Sequence, residues 1–309
     1  MSILEVLRDP NTQWILLGTL LLGLSSGVIG SFAYLRKQSL LGDTLAHAAL
    51  PGICIAFILT GVKSISFFLF GAAIAGMIAV FFISVLTKYS RIKQDSALGI
   101  VLSSFFGLGI VLLTQIQQSS YGNQSGLDKF LFGQTASMVM TDVYVMMGVS
   151  LVLILACTLF FKEFKLLSFD PGFAKGIGLP VLLLDYIIML LIVGAVVTGI
   201  QAVGVVLMAA LLITPAVSAR YWTERLHVMV ILSGVFGMVS GISGTLLSAT
   251  VNNLPTGPLI VLSATGWFVF SLLFAPNRGV VAKLWRRGDT KRKYELMRKL
   301  QKQGVHRYE

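Results

Sequence analysis

The chain has 309 residues, of which 56% are hydrophobic and only 12% charged, with a mean hydropathy of +0.86. Those proportions exclude an ordinary soluble domain and describe a polytopic membrane protein. The formal net charge of +11 would suggest a nucleic-acid partner, but residues 278–309 carry 11 of the 24 basic residues. A basic tail directly after a membrane span reads as a cytoplasmic anchor on anionic lipid, and no nucleic acid is expected. Two cysteines, Cys54 and Cys157, both in apolar runs, support neither a disulfide framework nor a paired-cysteine zinc site.

Apolar runs long enough to cross a bilayer, about 20 helical residues each, read at 13–35, 44–62, 64–87, 96–114, 141–161, 181–199, 201–220, 227–250 and 257–275. The second, sixth and seventh are short or interrupted, so eight spans with a re-entrant piece fit nearly as well as nine. The fold class is therefore all-α, with eight to nine transmembrane helices over residues 1–277 and a basic tail over 278–309. The first run is taken as a retained span, because no small-residue cleavage site follows it.

The first span carries Gly23, Gly27 and Gly30, and the eighth carries Gly234, Gly237, Gly241 and Gly244. Small residues at such intervals allow close helix packing in lipid, so both stretches read as seams. Arg36 and Lys37 follow the first run, Lys88, Arg91 and Lys93 the third, Lys162, Lys165 and Lys175 the fifth, and Arg220 and Arg225 the seventh. Positive charge gathers in short cytoplasmic loops, so these alternate loops and the tail define the cytoplasmic side. The N-terminus is then outside, the C-terminus inside.

The second run holds the main candidate site. Between Gln38 and Ser84 the ionisable groups are Asp43, His47, Cys54 and Lys63, and Lys63 falls in a break that water can reach. An ionisable side chain at membrane depth costs at least roughly 2.5 kcal/mol on insertion scales, which marks an ion path, a proton relay or a ligand site. Asp43 and His47 are four apart, hence on one face of a helix, where both can touch one ion. Pro51 has no N–H, so the His47 carbonyl loses its helical partner and is free to face a cavity. The plainer alternative is that Asp43 N-caps the helix and His47 bonds a neighbouring span. Cys54, seven residues beyond His47, reads as core.

Residues 115–140 form an external segment whose middle, Phe130 to Gly133, is apolar enough to dip into the interface; it fits a lid or a plain connection. In the loop after the fifth span, Asp170 followed by Pro171 signals an N-cap with proline at the first helical position. A short helix is expected there, ending near Gly176 or Gly178, and it needs a partner for its exposed face. Pro215 frees the Leu211 carbonyl and is expected to kink the seventh run.

The stretch Tyr34-Leu35-Arg36-Lys37-Gln38-Ser39-Leu40-Leu41-Gly42-Asp43-Thr44-Leu45-Ala46-His47-Ala48-Ala49-Leu50-Pro51-Gly52 closely resembles the signature of the membrane permeases of bacterial manganese and zinc ABC importers. The likeness runs along almost the whole chain up to Arg278. It implies a fold like the cobalamin importer permease, a second permease copy, cytoplasmic ATP-binding subunits and an extracellular metal-binding protein, all in a bacterial cell membrane. By the same likeness Asp43 and His47 are the metal-coordinating pair. The loop with Asp170, Ala174 and Gly178 is similar to that family's ATPase-coupling helix. No permanently bound cofactor is implied; manganese or zinc is the transported ion, manganese favoured for an oxygen-rich ligand set without sulfur.

The chain has no Gly-x-x-x-x-Gly-Lys-Ser/Thr phosphate loop and no His-Glu-x-x-His, so it is expected to be neither an ATPase nor a metalloprotease. The rival reading is a gradient-driven secondary transporter using Asp43 as its coupling carboxylate.

Overall fold

The computed structural model describes residues 9–61, 65–118, 133, 135, 138–250, 254–276, 278–283 and 285. The N-terminal residues 1–8, most of the external segment and the tail beyond residue 285 lie outside the described residues. Among the described residues the chain is helical throughout, without strands. The helices are α1 Pro10–Leu35, α2 Leu41–Thr60, α3 Ile65–Tyr89, α4 Gln94–Gln118, α5 Met140–Leu159, α6 Phe161–Phe169, α7 Pro171–Gly176, α8 Val181–Val203, α9 Val205–Trp222, α10 Leu226–Thr250 and α11 Thr256–Phe274.

Eight of these helices are long and apolar enough to cross a membrane, and α9 is the shorter ninth. The count therefore favours eight spans with a partial piece over nine full ones. The break between α8 and α9 falls at Gly204, whose φ of 92° suits glycine alone. Met208 Sδ stands 2.0 Å from where a Gly199 Cβ would be, with Leu22 Cδ1 3.3 Å from the same point. Leu22 is midway along α1, so α9 starts level with the middle of α1 and continues through Pro215.

Two described residues of the external segment pack into that corner. Gly133 lies against the backbone of Ala202 to Gly204, and the Thr135 hydroxyl donates to the Ala202 carbonyl, which the helix break would otherwise leave buried and unpaired.

Helix α1 is the centre of the bundle. Its glycine seam meets α10 as the spacing implied: a Cβ at Gly23 would stand 2.2 Å from the Gly237 carbonyl oxygen, and one at Gly27 would stand 2.3 Å from that of Ser233. With side chains reduced to hydrogen, the backbones approach closely enough for the Ser233 hydroxyl to donate to the Gly27 carbonyl at 2.6 Å and for Thr19 to pair with Thr245 at 3.0 Å. In lipid such packing and hydrogen bonding replace the hydrophobic drive that holds soluble helices together. The outward faces of α3 and α5 are apolar and exposed, with Phe67, Phe70 and Phe81 on one and Tyr144, Leu151 and Leu155 on the other.

The basic loops collect at one end. Phe32 near the end of α1 packs edge-on against Phe161 and Phe164 of α6, Arg36 pairs with Asp185 of α8, and Arg278 pairs with Glu224 at 3.0 Å.

Candidate metal centre

Helix α2 starts from the turn that follows α1, with Leu40 before it and no side chain capping its N-terminus. Three contacts fix this start. A Cβ on Gly42 would stand 2.7 Å from the Leu212 side chain of α9 and 3.8 Å from the Ala209 Cα, so α2 packs directly on α9 here. The Thr44 hydroxyl donates to the Leu40 carbonyl at 2.9 Å and lies 3.5 Å from the Leu98 carbonyl of α4. Further along, a Cβ on Gly52 would be 2.2 Å from the Gly71 carbonyl of α3. The helix is thereby wedged among α3, α4 and α9.

Leu212 also sets the depth of this helix. A Cβ on Gly30 would stand 1.8 Å from the Leu212 carbonyl oxygen, so Gly42 lies level with Gly30 rather than with the end of α1. At 1.5 Å per residue, His47 then lies about 15 Å back along the bundle from the end of α1, beside the interior of that helix.

His47 Nε2 lies 3.4 Å from Asp43 Oδ1, as expected for residues one turn apart on a common face. The imidazole packs edge-on against the Phe106 ring of α4, centroids 4.7 Å apart, which holds its plane. Its side chain is 16% exposed and that of Asp43 35%. His47 Nδ1 is buried without a hydrogen-bond partner among the described residues. The plainer alternative does not describe this geometry. Asp43 lies inside the first turn, not at the cap, and His47 bonds no neighbouring span. Asp43 is the acidic residue of the first turn, the end of a helix whose dipole favours negative charge.

Cys54 is fully buried, and its thiol reaches the Gly109 carbonyl of α4 at 3.8 Å, two turns beyond the His47–Phe106 contact, so it is part of the α2–α4 packing. Among the described residues no group of three or more His, Cys, Asp and Glu side chains comes together. Each chain thus offers one carboxylate oxygen donor and one imidazole nitrogen, a pair acceptable to manganese and to zinc but short of a full coordination shell for either.

The second sequence feature has the local form read for it. Asp170 Oδ1 accepts from the Phe173 N–H at 2.9 Å, Pro171 takes the first helical position, and Gly178 leaves the turn at a φ of 87°. Ala174, however, is fully buried, and its carbonyl accepts from Leu179 N–H at 3.1 Å. Its methyl packs inward, so Ala174 is not on the outward face of α7. The outward side chains are Phe169, Phe173 and Ile177, each more than half exposed. Their four-residue spacing was the available signal, in a loop otherwise carrying Lys, Glu and Asp. The Arg36–Asp185 pair was also missed, although Asp185 is the one acid in the sixth apolar run.

The profile of the ABC 3 transport family matches residues 8–275, most of the chain. The chain belongs to the ABC 3 transport family. Within that family it is similar to the manganese transport system membrane protein MntC of Bacillus subtilis, 60% identical over 91% of this chain and 64% of that one. The chain thus spans less than two thirds of that relative's length. It is also similar to the zinc transport system membrane protein TroC of Treponema pallidum, 46% identical over 93% of this chain and 96% of that one.

Among solved structures, this ABC 3 family chain matches PsaBC from Streptococcus pneumoniae in complex with Fab with a TM-score of 0.79 and 36% identity, covering 89% of this chain and 96% of that one. A transporter described as of metal-chelate type, in an inward-facing conformation, matches with a TM-score of 0.67 at 15% identity over 84% of both chains; it supports the fold alone. The architecture is the all-α, cobalamin-importer-like permease fold.

Proposed function

We propose that this chain is the membrane permease subunit of an ABC importer that moves manganese, and less readily zinc, into a bacterial cell. The carrying observation is the Asp43–His47 pair within a candidate membrane span, partly exposed and under-coordinated, in an ABC 3 family chain. The names of the manganese and zinc relatives support the cargo, and energy comes from separate ATP-binding subunits. One carboxylate and one imidazole hold a divalent ion poorly. Two copies around an axis beside α2 supply two of each and cover the exposed carboxylate, so the working form is a homodimer. An extracellular metal-binding protein delivers the ion, and the C-terminus lies in the cytoplasm with the basic loops.

Radiolabelled manganese uptake by the permease assembled with its ATP-binding subunit in vesicles tests this reading. Uptake requires ATP and survives collapse of the proton and sodium gradients. Gradient-dependent uptake without ATP would instead make Asp43 the coupling carboxylate of a secondary transporter. Zinc, higher in the divalent affinity series, binds the same site more tightly and so blocks manganese flux while crossing slowly itself. Zinc crossing as fast as manganese, without inhibiting it, would refute the selectivity.

The segment 169–178 is the surface on which an ATP-binding subunit docks. Asp170 and Gly178 shape it, Ala174 packs it against the permease, and Phe169, Phe173 and Ile177 face the partner. Phe173→Asp leaves the permease inserted, because that ring is exposed, but weakens co-purification of the ATP-binding subunit by about tenfold or more, as for a buried aromatic anchor at an interface. Unchanged co-purification and uptake would exclude the surface.

A further inference from the structure

We propose that the Arg36–Asp185 ion pair is a strut that carries movement of the 169–180 segment to the helix bearing Asp43 and His47; this rests on the importer reading above. Arg36 stands in a loop where positive charge is expected, whereas Asp185 is the one acid in the sixth apolar run. Arg36 ends α1 and opens the turn into α2, and Asp185 lies in the first turns of α8, just after α7. The guanidinium Nη2 donates to Asp185 Oδ1, with the Arg36 side chain only 12% exposed. Its Nη1 is buried without a partner among the described residues, so Asp185 is the one counterion there. Burial pushes the Arg36 pKa down to about 10, which still leaves it charged at neutral pH. Separating such a pair strands a buried cation, so the two backbones it joins are held to move together.

Both backbones are stiff up to the pair. On one side, Arg36 N–H bonds Phe32 O at 3.1 Å, Lys37 N–H bonds Tyr34 O at 3.0 Å, Gln38 N–H bonds Ala33 O at 3.0 Å, and Leu41 N–H bonds Gln38 O at 3.0 Å. These bonds tie the turn between Arg36 and the start of α2 back onto the last turn of α1. On the other side, Leu179 N–H holds Ala174 O at 3.1 Å and Leu184 N–H holds Pro180 O at 3.1 Å, so α7 passes without a flexible joint into α8. Displacement of α7 is therefore delivered through Asp185 to Arg36 and to the turn that aims Asp43. Arg36 and Asp185 are positioning residues; neither is a metal ligand.

The test uses the permease assembled with its ATP-binding subunit in proteoliposomes, with Mn2+ as the probe. Arg36→Gln, the neutral double variant Arg36→Gln with Asp185→Asn, and the charge-exchanged Arg36→Asp with Asp185→Arg are compared. In the first two, assembly and ATP hydrolysis persist while manganese moved per ATP falls by about tenfold, the size of a typical coupling between sites. The half-saturating Mn2+ concentration stays within about twofold, because the ligands are untouched. The charge-exchanged variant recovers most of the coupling.

A pair that only stabilises the fold would lower assembly, hydrolysis and uptake together, and that result overturns the proposal. So does full coupling in the neutral double variant. Cross-linking of Phe173→Cys to the ATP-binding subunit, in an otherwise unaltered permease, separates the two readings. If it fails, the docking surface is wrong; if it forms while the neutral variant stays coupled, the strut alone is wrong.

Discussion

Asp43→Ala abolishes manganese uptake while leaving a protein that inserts and folds at least as well as the wild type. The carboxylate makes no cap bond and is about a third exposed, so its removal opens little space; His47 loses its 3.4 Å contact to the carboxylate. It also lifts an insertion cost of roughly 2.5 kcal/mol for a charge at membrane depth. On the proposed reading, the ion path loses half of its side-chain ligands from each chain. Partners one shell further out already change metal affinity by about 10- to 100-fold, so loss of a ligand itself removes more than about a hundredfold of flux. His47→Ala behaves alike, with a small packing loss against Phe106. Vesicle uptake measured beside a detergent melting curve checks both halves of the expectation. Undiminished uptake by either variant removes Asp43 and His47 from the path, whatever the melting curve shows.

The Asp43–His47 pair is legible in the sequence because its chemistry contradicts its surroundings. Two ionisable groups in an apolar run stand out on composition alone, and their spacing of four places them on one face. Depth was less legible. Apolar runs report length and not level, so the start of α2 opposite Gly30, and the start of α9 opposite Leu22, come only from Leu212 and Met208 packing across helices. The corner at Gly204 was hidden in the same way. Two apolar stretches adjoin there without a polar loop, because Thr135 supplies from elsewhere the hydrogen bond that water would supply at a surface.

The inward face of α7 illustrates a third gap. Asp170 and Pro171 declare a helix start through local chemistry, but six helical residues are too few for periodicity to tell Ala174 inside from Phe173 outside. An exposed phenylalanine beside a buried alanine reverses the usual order, which sequence hydropathy does not signal.

Gly30→Val prevents the permease from folding. The first atom of any side chain at Gly30 would stand 1.8 Å from the Leu212 carbonyl oxygen and 2.9 Å from its carbon, both backbone, so no rotamer change relieves the clash. Relief requires α9 to slide, but the Leu212 side chain is already wedged against Gly42 at the start of α2. The displacement therefore reaches the metal centre and the α1–α10 seam at once. Overpacking in a core that can yield costs about 1–3 kcal/mol. Here two helix backbones must separate, so the cost exceeds that range and approaches the whole stability of a domain. The readout is the yield of monodisperse protein in mild detergent and its thermal midpoint.

Gly266→Ala is the matched control. It sits within α11 with nothing within 4 Å of the new methyl, and exchange of an exposed helical glycine for alanine adds up to about 1 kcal/mol of stability. If Gly30→Val instead purifies with the wild-type midpoint, α1 and α9 are not in contact through Leu212. The level assigned to Asp43 and His47 then falls with that contact, since the same leucine sets it.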